Sequence, residues 1–250
     1  MFYHNIDPVF LNLFGLEIRY YGLIWLLGFV IAYLFVRHLS KKRDMKIDAD
    51  DLFLWILIGV VLGGRLGYIL FYNMGFYLAN PLEVFAVWHG GMSFHGGLIG
   101  GIIAVVWFSK KKGLDALEIG DILMIPLAFG LFLGRIGNFI NGELVGRVTD
   151  VSWCFNFQGY EGCRHPSQLY ESAKNLFIFG ALWFLKDKNL KKGTLFWCFI
   201  FMYGAIRSFI EFFRAPDPQV GFIFGLTMGQ ILSSLMIIIG GFFLFRNFSK

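Results

Sequence analysis

Apolar residues in this chain run on in long stretches broken by short polar loops. Seven such segments stand out, at about 20–37, 52–72, 93–109, 119–140, 169–185, 194–213 and 226–245. A helix rises about 1.5 Å per residue, so stretches of this length cover the roughly 30 Å hydrocarbon layer of a bilayer. The pattern predicts an all-α fold, a polytopic membrane helix bundle of about seven transmembrane helices. It is read as one integral membrane domain over residues 1–250. Composition agrees, with 57% apolar residues, 16% charged residues and a mean hydropathy of +0.63. Soluble domains carry about 25% charged residues.

The polar loops fall into two classes. Residues 37–46 hold five Lys or Arg, 110–112 three, 186–192 four and the C-terminal tail two, fourteen in all. The alternate loops hold only Arg19, Arg147, Arg164 and Arg214. The positive-inside bias puts the basic class in the cytoplasm. The N-terminus is then outside and the C-terminus cytoplasmic, as an odd number of spans requires. The net charge of +5 is therefore read as topogenic, and no nucleic-acid partner is expected. The start of the chain lacks the basic region and small-residue cleavage site of a signal peptide, so the first apolar helix is expected to stay as an anchor.

Two outer loops depart from simple connections. Residues 73–91, aromatic and apolar but interrupted by Pro81, read as an interfacial arm lying on the membrane. Residues 141–168 form a small extracytoplasmic region, long enough to be functional and aromatic enough to be ordered. It contains Cys154 and Cys163, whose pairing spacing alone leaves open. Three cysteines without paired spacing predict neither a disulfide framework nor a metal site. The segments GGRLGYI (63–69) and LGRIGNF (133–139) echo each other, as close-packed small residues or as a true repeat.

Four basic residues lie inside apolar segments: Arg65, Arg135, Lys174 and Arg207. Each costs several kcal/mol if left unpaired in hydrocarbon. One arginine near a helix end reads as snorkelling. Three at similar depth, all toward the outer side, read as an anion site. Arg135 has Asn138, Asn141, Glu143 and Arg147 nearby in GRIGNFINGELVGR, and Arg207 has Glu211 one turn on, where the two can pair. The guanidinium fork suits phosphate, so a phosphate-bearing lipid is the expected ligand.

Histidines are the second anomaly. His95, in WHGGMSFHGGLIGG, sits among glycines that permit close backbone approach, and histidine is a side-chain type that can take a proton from a thiol or hydroxyl. His89 in the arm is a weaker candidate, and His165 in RHPSQLYE reads as structural. Most of the 31 glycines read as helix packing. GRIGNFINGELVGR differs, because it alternates glycine with polar side chains at a helix end.

That stretch, with SFHGGLIG (93–100), HPSQLYE (165–171) and YGAIRSFIEFFRAPD (203–217), resembles the bacterial prolipoprotein diacylglyceryl transferase family. The likeness extends to YYGLIWLLGF (20–29), GGRLGYILFYN (63–73) and MGQILS (228–233), and so runs through the whole chain. The resemblance implies an inner-membrane enzyme that moves the diacylglyceryl group of phosphatidylglycerol onto the lipobox cysteine of a preprolipoprotein. Glycerol phosphate is released, and neither metal nor organic cofactor is implied. Fitted to that chemistry, Arg135 holds the headgroup, with Asn138, Glu143 and Gly146 shaping its pocket. Arg207 stabilises charge on the leaving phosphate and Glu211 orients it. His95 assists thiol deprotonation. Tyr21 and Tyr203 are hydrogen-bonding candidates, and Arg65 either completes the anion site or serves structure.

Two other classes fit parts of the pattern. An anion or phospholipid transporter also buries arginines, but places them near the bilayer midplane among interrupted helices. Here the cluster is displaced outward, which favours chemistry at the interface. A lipid-binding scaffold has no need of Arg135, Arg207 and His95 together.

Overall fold

The computed structural model describes residues 1–215, 222–223 and 225–249. The last two residues of the 203–217 motif lie outside them. Each of the seven apolar segments falls on a helix. They are α1 (Tyr20–Lys42), α2 (Ala49–Tyr72), α4 (Phe94–Lys112), α5 (Ala116–Ile140), α6 (Ser167–Leu185), α7 (Thr194–Ile210) and α8 (Met228–Phe248). A short helix, α3 (Met74–Ala79), follows α2. Four helices (α1, α2, α5 and α8) are long and apolar enough to cross a membrane, and α7 is a shorter apolar one. This is a polytopic membrane helical protein.

Short strands escaped the sequence pattern. Strand β1 (Phe2–His4) pairs in parallel with β4 (Phe155–Phe157), and β2 (Val9–Leu13) forms a hairpin with β3 (Leu16–Arg19). Strands β5 (Phe222–Ile223) and β6 (Leu226–Thr227) form a second hairpin. The chain forms two compact units. One comprises Met1–Val36 with Gly120–Lys250, the other Arg37–Ile119.

Within the Arg37–Ile119 unit, α2 and α4 meet along a glycine seam. Gly59, Gly63 and Gly67 recur every fourth residue on α2, facing Gly96 and Gly100 on α4. A Cβ added at Gly67 would lie 2.9 Å from the Gly96 Cα, and one at Gly63 2.9 Å from the Gly100 Cα. Backbones that close leave no room for any side chain, the small-residue packing usual between membrane helices. The arm that follows α2 consists of α3 and two 3₁₀ turns, Pro81–Phe85 and Val87–His89.

In the other unit, residues 141–168 form a compact cap. Cys154 and Cys163 are joined by a disulfide and both are buried. Around it, Phe155 and Arg164 exchange backbone hydrogen bonds, the Thr149 N–H donates to the Cys163 carbonyl, and the Gly146 N–H donates to His165 O. Gly146 also bridges to Arg214, and the Arg147 N–H donates to Phe213 O. The cap thus ties the end of α5, the start of α6 and the end of α7 into one hydrogen-bonded ladder. The N-terminus closes it further, because Phe2 N–H donates to Cys154 O and the His4 ring lies 2.6 Å from Phe139 O.

At the opposite end of this unit, α7 starts without a side-chain cap of its own on Gly193. Asp121 of α5 supplies one. Its buried carboxylate accepts the Gly193 N–H at 2.7 Å and the Phe196 N–H at 2.8 Å. Such a cap satisfies two of the four amide groups a helix start leaves open.

Two stability predictions follow from these contacts. Asp121→Ala should cost about 1–2 kcal/mol, the upper range for a lost helix cap, and lower the melting temperature in detergent. Gly146→Ala should be more damaging, because its Cβ would lie 2.5 Å from His165 O and 2.6 Å from Phe213 O. Limited proteolysis of the purified variant should then cut within 141–168 faster than in wild type. An unchanged cleavage rate would show that the ladder can absorb a methyl group.

Candidate functional site

Two of the three predicted anion-site arginines, Arg135 and Arg207, gather around a carboxylate, Glu171, to which the sequence reading gave no role. Glu171 sits in the second turn of α6, with no exposed side-chain surface. Its Oε1 receives Arg207 Nη1 at 2.5 Å. Its Oε2 receives Lys174 Nζ at 2.8 Å and has Arg135 Nε at 3.7 Å. Arg135 of α5, Lys174 of α6 and Arg207 of α7 are therefore arranged around one acid.

The HPSQLYE motif explains how Glu171 is placed. Pro166 precedes α6, where its missing N–H costs nothing. Ser167 Oγ donates to Leu144 O at 2.9 Å and Gln168 Nε2 to Glu143 O at 2.6 Å, so the first turn of α6 is fastened to the 143–144 backbone. Tyr170 Oη accepts the Trp153 indole N–H at 2.8 Å and lies 3.1 Å from His165 Nδ1. His165 thus belongs to the cap, where burial pulls its pKa below the usual histidine value.

A second carboxylate completes the group. Glu211 Oε2 lies 2.8 Å from Arg207 Nη2, the pairing expected one turn apart on a helix, and 3.6 Å from Arg214 Nε. Glu211 Oε1 accepts the Thr227 hydroxyl at 3.0 Å. Thr227 in turn caps α8 in a reciprocal box with Gln230. Gly229 stands directly against Glu211, where a Cβ would lie 2.6 Å from Oε1. This accounts for the glycine in MGQILS.

Among the described residues of this cluster the charges do not balance. Arg135, Lys174, Arg207 and Arg214 face Glu171 and Glu211, which leaves two positive charges in excess. The excess is accessible through the Arg135 guanidinium. Among the described residues, Arg135 makes one long hydrogen bond, from Nη1 to Asn138 Oδ1 at 3.4 Å, and its side chain is 20% exposed. Arg214 Nε and Nη1 are buried with no hydrogen-bond partner among the described residues. Burial, and after it the neighbouring Arg207 charge, pulls the Arg214 pKa down to about 10. Arg207 is different, since two acids grip both of its terminal nitrogens.

The turn after α5 carries the other predicted residues of this group. Asn138 Nδ2 donates to Glu143 Oε1 at 2.8 Å, and Asn141 Nδ2 donates to the same oxygen at 3.3 Å. Asn138 therefore links Arg135 to Glu143. Gly146 is pressed between the backbones of His165 and Phe213. Tyr21 of α1 lies across Gly137, where a Cβ would be 2.9 Å from its ring. The Tyr203 ring centroid lies 3.6 Å from Lys174 Nζ.

Arg65 and His95 belong to the Arg37–Ile119 unit. All five Arg65 N–H donors are engaged by backbone carbonyls of the arm. Nε donates to Val84 O at 3.0 Å, Nη1 to Gly90 and to Gly91 at 3.2 Å, and Nη2 to Glu83 and to Ala86 at 3.0 Å. Its guanidinium also lies 5.0 Å from the Tyr77 ring centroid. Of the two roles open to Arg65, this geometry is that of structural support. His95 stands exposed in the first turn of α4, which Ser93 caps. Its nearest aromatic neighbour is Phe94.

Sequence reasoning missed Glu171 as the hub, and with it Lys174, Arg214 and Thr227. One signal was available. Only three acids fall within the seven apolar segments: Asp121, Glu171 and Glu211. An acid in hydrocarbon is as anomalous as a base. One of the three caps a helix and two organise the cluster.

Known proteins place the chain. The sequence profile of the prolipoprotein diacylglyceryl transferases matches residues 8–246. A phosphatidylglycerol–prolipoprotein diacylglyceryl transferase of Geobacter sulfurreducens is 48% identical over 246 residues, covering 96% of this chain and 95% of the relative. Proteins of the same name from Methylocella silvestris and Rhodospirillum rubrum are 46% and 45% identical. They cover 95% and 94% of this chain, and 92% and 90% of their own length is matched. The chain is a member of the prolipoprotein diacylglyceryl transferase family.

Proposed function

We propose that this chain transfers the diacylglyceryl group of phosphatidylglycerol to the lipobox cysteine thiol of a preprolipoprotein, the first step of lipoprotein maturation. The observation that carries the site assignment is the surplus of two positive charges around Glu171 and Glu211 among the described residues, reachable through the partly exposed Arg135 guanidinium, whose donors are largely open. A phosphodiester is a singly charged anion with several acceptor oxygens. It fits guanidiniums that still have N–H groups to offer.

In the reaction, a cysteine thiolate attacks the glyceryl carbon bonded to phosphate oxygen. The S–C bond forms, the C–O bond breaks, and the electron pair leaves with glycerol phosphate. Arg135 holds the phosphodiester, with Asn138 and Glu143 fixing its direction and Gly146 keeping the turn closed. Arg207, oriented by Glu171 and Glu211, stabilises the charge that grows on the departing oxygen. Arg214 joins these two from the end of α7. Tyr203 and Tyr21 offer hydroxyls to the headgroup. His95 is the base proposed for the thiol. Arg65 serves by holding the arm.

The site is placed on the outer side of the bacterial inner membrane, with the N-terminus outside and the C-terminus cytoplasmic. The fourteen basic residues of the three basic loops and the C-terminal tail support that orientation. The Cys154–Cys163 disulfide supports it independently, because such bonds persist in oxidising compartments.

The purified protein, incubated with phosphatidylglycerol and a lipobox-cysteine peptide, should release glycerol phosphate and yield a thioether-linked diacylglyceryl peptide. No release with intact lipid and reduced thiol would overturn the reading. Arg135→Ala and Arg207→Ala should each lower kcat/KM by about a hundredfold or more, the scale for losing one charge-stabilising group, while the protein still inserts and folds. An unchanged rate for His95→Ala would remove that residue from the mechanism.

A further inference from the structure

Glu171 divides its two oxygens unequally, and Lys174 is the reason. Oε1 belongs to Arg207. Oε2 is taken by Lys174 at 2.8 Å, while Arg135 Nε stands off at 3.7 Å, beyond hydrogen-bond reach. Lys174 has no exposed side-chain surface, and Glu171 is its one hydrogen-bond acceptor among the described residues. The Tyr203 ring faces the ammonium from α7. Burying a fifth or sixth charge here is expensive. The Arg207 clamp does not need it, because Glu211 already grips the second nitrogen.

We infer that Lys174 is a positioning residue for phosphatidylglycerol binding: by occupying Glu171 Oε2, it keeps the Arg135 guanidinium free for the phosphodiester. Without the ammonium, that oxygen has no close partner, and the nearest cation is Arg135, less than 1 Å outside contact range. Arg135 would close onto the acid. It would do so with the donors that the headgroup requires, and the surplus positive charge would fall from two to one. Lys174 therefore acts on the lipid through Arg135, at the level of binding. The inference rests on Arg135 being a headgroup ligand.

The test uses the full-length protein in detergent, titrated with short-chain phosphatidylglycerol and read as stabilisation against thermal unfolding, alongside KM for the lipid. Lys174→Met should raise both the half-saturating lipid concentration and KM about tenfold, the effect of one favourable contact, with kcat within about twofold. Lys174→Arg, which can fill the same oxygen, should stay within about threefold of wild type. Arg135→Ala separates the two levels of the reading. If it leaves lipid stabilisation unchanged, the headgroup assignment itself falls. If it abolishes stabilisation while Lys174→Met leaves affinity unchanged, only the Lys174 inference falls. A Lys174→Met protein with lower kcat and unchanged lipid affinity also overturns it. Should that variant not accumulate in the membrane, Lys174→Gln, uncharged and unable to outcompete a guanidinium, carries the same affinity test with the same expected direction.

Discussion

A carboxylate enclosed by apolar helices loses its hydration, and it stays charged only where cations replace the water. Glu171 meets that condition with Arg207 and Lys174 in contact and Arg135 close by. The three come from α5, α6 and α7, so one acid holds the relative position of three helices. Removing it would leave several uncompensated charges rather than one. Its own placement depends on the Ser167 and Gln168 hydrogen bonds to the turn at 143–144. The cap, the helix bundle and the cationic site are thus linked through the first two turns of α6.

What the sequence made legible follows from length scale. Each apolar run became a helix, because a predominantly apolar stretch of seventeen or more residues has no other way to satisfy its backbone in hydrocarbon. The short strands left no such mark. β1 pairs with a segment about 150 residues away, and the β2–β3 hairpin exposes Phe10, Leu13 and Phe14, so neither shows the alternation of a half-buried sheet. The arginines were visible as misplaced charges, but their partners were not. Arg65 and Arg135 have the same local sequence, Gly-Arg followed by an apolar residue and glycine. One is saturated by the carbonyls of an arm eighteen or more residues on, and the other keeps its donors open. Only long-range contacts distinguish them.

The arrangement also shows why a permanent cationic site survives in a low-dielectric setting. Two acids neutralise part of the charge and fix its geometry, which limits mutual repulsion among four cations. The remaining charge is concentrated on guanidiniums rather than on the ammonium. Lys174 is wholly enclosed, while Arg135 keeps a fifth of its side chain exposed. The division leaves a planar, multiply donating group exposed, where the proposed headgroup would arrive, and encloses the compact charge.

The disulfide in the cap carries a consequence for biogenesis. Cys154 and Cys163 lie at the rungs that tie β1 and Arg164 to the rest of the ladder. Thiols stay reduced in the cytoplasm where the chain is made. With the cap on the outer side, as proposed above, its covalent closure follows translocation and depends on whichever oxidant the cell keeps beyond the membrane. On that proposed orientation, a cell that could not oxidise exported thiols would still insert the helices, but it would hold a membrane enzyme whose cap is latched by hydrogen bonds alone.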